Sequence, residues 1–134
     1  ALQFSTSVRD ARANSTESTI GTSPILEIRT GAPPATPATA DSGTLLASMT
    51  LPSDWLTNSS SGVKSLSGTW SDPAANNTGT AGHFRIKDSG GSTCHIQGTV
   101  TITGGGGDLT LDNTSIATSQ VITITSFTMT EANA

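Results

Sequence analysis

The sequence predicts an all-β fold, an antiparallel two-sheet sandwich of jelly-roll-like form with a short N-terminal helix or arm. Three observations predict it. Serine and threonine supply 43 of the 134 residues and only 12% are charged; β-branched threonine suits a pleated surface, and both hydroxyl side chains compete with helical hydrogen bonds. Short runs of alternating apolar and polar residues recur between clusters of Gly, Pro, Asn and Asp. From Gly79 to Thr130 these runs follow one another as a β-meander. The length fits one core, read as an arm over residues 1–21 and a sandwich over 22–134, with Greek-key Ig-like topology as second choice.

The helix is expected from Ser5 to Ile20. Ser5 can cap it, Phe4 can staple its first turn, and Gly21 with Pro24 can end it. Its apolar stripe is thin, with little beyond Val8, Ala11 and Ile20, so it needs a docking surface to persist; a frayed arm is the alternative. Ile25 to Thr30 reads as a strand. Ala32 to Ala40, with Pro33, Pro34 and Pro37, reads as an extended polyproline-like loop. Leu45 to Leu51 and Val63 to Trp70 read as strands, with a loop from Asp72 to Asn77.

A hairpin surrounds Asp88. A three-residue loop at Ser89, Gly90 and Gly91 sets Ile86 opposite Cys94 and Phe84 opposite Ile96, while Arg85 meets His95 and His83 meets Gln97. Gly104 to Gly107 is a strand connection, and Asp108 to Asp112 and Gln120 to Met129 complete the sheet. In the last strand Ile122 and Ile124 alternate with Val121, Phe127 and Met129, so both faces are partly apolar and the strand is expected to be central or covered by another subunit.

The formal charge of −4, with six scattered Lys and Arg, argues against nucleic acid as a ligand. No apolar run is long enough for a membrane span, no leader-like segment opens the sequence, and a soluble protein without a membrane partner is expected. Cys94 alone leaves no internal disulfide and is expected to be a buried, inert thiol.

His83 and His95 share the expected hairpin face, but two imidazoles without a third ligand, flanking Arg85, make a poor metal set. There is no Gly-x-Ser-x-Gly elbow, and Asp108 and Asp112 stand about 13 Å apart at strand rise, too far for paired carboxylates. No enzyme, metal or cofactor is therefore expected. Trp70 lies in line with Leu66 and suits a core, whereas Trp55, beside Pro52 and Asp54, is the better candidate for an exposed contact and for stacking on a sugar.

The segments Ala1–Arg12, Ile25–Pro34, Gly79–Ile86 and Gly106–Ile116 carry a resemblance spanning nearly the whole chain. The chain resembles small structural proteins of tailed bacteriophages, among them capsid cement or decoration subunits and tail or fibre attachments. The resemblance implies a virion component, assembled in the bacterial host cytoplasm. Its expected partners are the major capsid protein or another virion protein, and further copies of itself in a homo-oligomer. Interface candidates are Phe4, Val8, Ile20, Trp55, Val121, Phe127 and Met129, with the segments Phe4 to Gly21 and Gly31 to Asp41 extended across a neighbour. A tail- or fibre-associated adaptor is the first alternative and a carbohydrate-binding surface domain the second.

Overall fold

The computed structural model describes residues 2–132. One helix, α1 (Thr6–Ile20), precedes ten strands: β1 (Ile25–Thr30), β2 (Leu45–Thr50), β3 (Val63–Ser65), β4 (Trp70–Asp72), β5 (Gly79–Lys87), β6 (Cys94–Ile102), β7 (Leu109–Leu111), β8 (Ser115–Ile116), β9 (Ile122–Ile124) and β10 (Thr128–Thr130). The class is all-β and sandwich-like. The main sheet runs β2-β1-β5-β6-β7, with β8 on β5, and curls into a half-barrel.

The strands Val63–Trp70 and Gln120–Met129, expected to be continuous, are each broken in two. β3 pairs with β10 and β4 with β9, all antiparallel, and Leu66 N–H donates to the Phe127 carbonyl between them. The result is one bent ribbon that forms the second layer. The bend lets Phe127 turn inward, where its ring lies 5.4 Å from Trp70 and 5.8 Å from Phe84 in an edge-on contact, with Trp55 6.1 Å beyond Trp70. These rings join Leu26, Ile28, Met49 and Ile86 in a core between ribbon and sheet. Both indoles are buried with their N–H satisfied, Trp55 by the Gly21 carbonyl and Trp70 by the Ser67 carbonyl.

The β5–β6 hairpin keeps the expected apolar face but slips by two residues. Ile86 pairs with Ile96, Arg85 with Gln97 and His83 with Thr99. Because side chains alternate with a period of two, a slip of two preserves which residues face the core. The slip comes from a longer turn. Asp88 accepts hydrogen bonds from the Ser92 and Thr93 N–H groups, and a register shift between Ile86 and Lys87 leaves His95 without an opposite residue. The expected pairings of Arg85 with His95 and of His83 with Gln97 are therefore not made. Cys94 comes opposite Lys87, half-buried and not inside the core.

The β6–β7 pairing is parallel, although only a short loop joins the strands. Parallel neighbours ordinarily need a long crossover. Here residues 104–107 double back along β6: Gly104 and Gly106 take positive φ, while a Cβ on Gly105 or Gly107 would press into the Thr101 side chain. The Gly107 N–H donates to Thr101 Oγ1, and Asp108 accepts from the Thr99 N–H and hydroxyl, fixing the return. The run of four glycines thus serves two alternating needs.

Candidate functional site

Two polar assemblies stand out, each fastening one of the segments expected to reach a neighbour. The first lies under α1. Ser5 caps the helix by accepting from the Val8 N–H, and Gly21 closes it with its N–H on the Glu17 carbonyl. Residues 9, 10, 13, 14, 17 and 20 share one face by the 3,4 spacing of a helix, but only Ala13 and Ile20 among them are apolar. The others reach the loop 56–62, where the Leu56, Ser59 and Gly62 N–H groups bond to helix side chains while those of Thr57 and Ser60 bond back to β3. Asp10 accepts from the Ser59 hydroxyl and the Gly62 N–H, both at 2.7 Å. Glu17 Oε1 accepts from the Leu56 N–H at 3.3 Å and Asn14 Oδ1 from the Ser59 N–H at 3.0 Å. Arg9 donates to the Ser61 and Glu131 carbonyls, and Arg12 pairs with the Glu131 carboxylate. Hydrogen bonds from Ser59 and Gly62 hold the Asp10 carboxyl below the usual carboxylate range.

At the centre of this contact is Lys64, whose side chain is 1% exposed. Its Nζ lies 2.8 Å from Asn14 Oδ1 and 2.8 Å from Glu17 Oε2. The three line a surface cleft of about 520 Å³ together with Gly21, Asp54 and Asn58. A buried ammonium needs a partner, and the carboxylate supplies it.

The second assembly lies on the far face of the main sheet, under the proline loop. Prolines cannot donate, so the proline-rich loop, which bends into a turn where the Thr39 N–H donates to the Thr36 carbonyl, presents carbonyls with few competing N–H groups. The sheet meets them with donors: Arg85 reaches the Pro37 and Thr39 carbonyls, Gln97 the Pro34 carbonyl, and His83 Nδ1 the Gly31 carbonyl. At the loop's end Asp41 lies 2.6 Å from Lys87 Nζ, 3.2 Å from Arg29 and 3.4 Å from Arg85. Glu27 completes the cluster, 2.6 Å from Lys87 and 3.1 Å from Arg29. Burial pushes the Asp41 carboxyl up, but the Lys87 hydrogen bond and the three cations outweigh it and leave it below the usual range. Burial likewise pulls the Lys87 ammonium down, and its bonds to Asp41 and Glu27 reverse that, raising it above the usual lysine value.

The loop Gly31 to Asp41 is therefore strapped to its own sheet and does not extend toward a neighbour. The helix is docked in the same way. Of the interface candidates, Ile20, Trp55 and Phe127 are buried within this chain, and Met129 packs partly buried against the core. Trp55 is not the exposed contact expected from its neighbours Pro52 and Asp54, because the end of α1 covers it. Phe4 lies beside Arg12, whose guanidinium carbon is 4.9 Å from the ring centroid. Val8 and Val121 are exposed, at 43% and 62%, as are Leu2 and Ile102.

Comparison with protein-family models, curated proteins and solved structures finds no match for the chain.

Proposed function

We propose that the protein is a virion structural protein, a capsid cement or decoration subunit that clamps neighbouring major capsid subunits and acts as a homo-oligomer on the particle. One observation carries the reading beyond the sequence resemblance: all six Lys and Arg side chains bind partners within the chain. That use of charge suits a braced body and leaves little attraction for phosphate. Val8 and Val121 remain the interface candidates, since both present apolar surface to solvent. Binding only the assembled shell would stabilise both partners by linkage. The jelly-roll-like arrangement belongs to the same proposal; its support is that the chain passes repeatedly between the curled sheet and the bent ribbon. The carbohydrate-binding alternative rested on tryptophan faces, and both tryptophans are buried.

The test is cryo-electron microscopy of particles from the phage that encodes the chain, prepared with and without it. Density for this fold at positions repeated over the capsid lattice, lost when the chain is omitted, is the expected result. Density confined to the tail would replace the cement reading with the tail or fibre adaptor. Particles lacking the chain altogether would overturn both.

A further inference from the structure

Lys64, Asn14 and Glu17 do more than satisfy one another's charge. An amine 2.8 Å from an amide oxygen is no more than about 4 Å from that amide's carbon, since the C=O bond is about 1.2 Å. Glu17 Oε2 touches the same nitrogen, in position to take its proton. The Ser59 N–H already donates to Asn14 Oδ1, where negative charge would gather if the carbon were attacked. A nucleophile, an acid–base group, an electrophile and an oxyanion donor are thus gathered around one buried nitrogen.

We propose that Lys64 and Asn14 become joined by an intramolecular isopeptide bond, with Glu17 as the proton carrier. Glu17 takes a proton from the Lys64 ammonium, and the freed lone pair attacks Asn14 Cγ. The oxyanion forms on Oδ1 against the Ser59 N–H. The Nζ–Cγ bond stays and the Cγ–Nδ2 bond breaks. Two protons pass in all from Nζ through Glu17 to the departing nitrogen, which leaves as ammonium, and Glu17 returns to a carboxylate. No oxidant or co-reactant is needed, and the product reaches solvent through the cleft beside the three residues.

The Lys87–Asp41–Glu27 cluster provides the contrast. Its amine is as close to two carboxylates, at 2.6 Å each, but the acceptor is a carboxylate kept ionised by Arg29 and Arg85. An ionised carboxylate is a poor electrophile, so that trio stays an ion pair. The neutral amide of Asn14 has no such protection. The inference concerns the chain's own covalent structure and holds wherever the protein acts.

Intact mass spectrometry of the purified, folded full chain tests it. The expected mass is one ammonia, about 17 Da, below that of the sequence. Trypsin should then release Ala13–Arg29 joined to Thr30–Arg85, with Lys64 uncut and Lys87 cut normally. Glu17→Gln should show its full sequence mass and ordinary cleavage at Lys64, and Lys64→Arg, which keeps the charge, should do the same should Glu17→Gln not fold. A wild-type chain at full sequence mass would overturn the proposal. So would the same mass loss with Lys64 still cleavable, which marks a succinimide at Asn14. A crosslink persisting in Glu17→Gln would refute the mechanism assigned to Glu17.

Discussion

Replacing Asp41 with asparagine removes one of two carboxylates that face three cations under the proline strap. Arg85 and Lys87 are nearly buried, with side chains 2% and 10% exposed, so they would keep their charge in a poorly solvated place with only Glu27 opposed. Breaking a buried pair costs about 3–5 kcal/mol. Asp41 itself is 31% exposed and asparagine keeps an acceptor oxygen, so solvent screening reduces the expected loss to about 2 kcal/mol. With a urea slope of about 2 kcal/mol/M, the unfolding midpoint should fall by about 1 M while the slope is unchanged. The same variant should alter the acid limb of stability. The folded carboxyl lies below its ordinary 3.8, so its contribution is present above that value and is lost as pH falls through the folded value. Lys87 acts at the other end: its folded value is raised above 10.5, so its contribution is present below that value and is lost as pH rises through the folded one. Asp41→Asn should therefore flatten part of the acid limb, leaving the share due to Asp10 and Asp88. A midpoint shift below about 0.3 M, with an unaltered acid limb, would refute the claim that the strap is held by charge.

Three further substitutions probe the packing. Ala13→Leu forces a larger side chain into the closed contact beneath α1 and should cost about 1–3 kcal/mol in denaturant unfolding, whereas Val8→Ser, on the exposed face, should stay within about 0.5 kcal/mol. Phe127→Ala empties the space between Trp70 and Phe84 and should cost about 3–5 kcal/mol, with a change in tryptophan emission before any unfolding. Gly107→Ala sets a Cβ 2.8 Å from Thr101 Oγ1 and should cost about 1–3 kcal/mol by thermal unfolding, while Gly90→Ala, whose nearest contact is 3.8 Å, should be nearly neutral.

The sequence was informative where side-chain alternation decides the outcome and silent where single polar contacts do. Phe84, Ile86 and Ile96 were assigned to one face because patterning carries parity; the register itself was set by the Asp88 carboxylate, which patterning does not weigh. The helix was placed with its cap and its stop, yet its attachment was misread. The contact is made not by an apolar stripe but by Asp10, Asn14 and Glu17, and their helical spacing together with Lys64 is its sign in the sequence. The strap was expected to be extended, but it bends and closes a turn in which the Thr39 N–H donates to the Thr36 carbonyl, and nothing local tells a proline run which surface will supply its donors. The parallel β6–β7 pair was hidden because a run of four glycines, read as a strand connection, does not show its path: Gly104 and Gly106 supply the positive φ of the return and Gly105 and Gly107 leave room for Thr101. Trp55 was judged by its polar neighbours in sequence, while its cover comes from the far end of α1.

The strap also constrains the order in which the chain can organise itself. Pro34, Pro37 and Thr39 emerge early, but the side chains that hold them belong to residues 46 to 63 positions later in the chain. Arg85, Lys87 and Gln97 stand side by side only once β5 and β6 have zipped together. Until then the proline segment has nothing to close upon; once β1 has paired with β5 and β2 with β1, it closes as the connection between two neighbouring strands of that sheet. The strap is thus a late latch, fastened over a sheet already built.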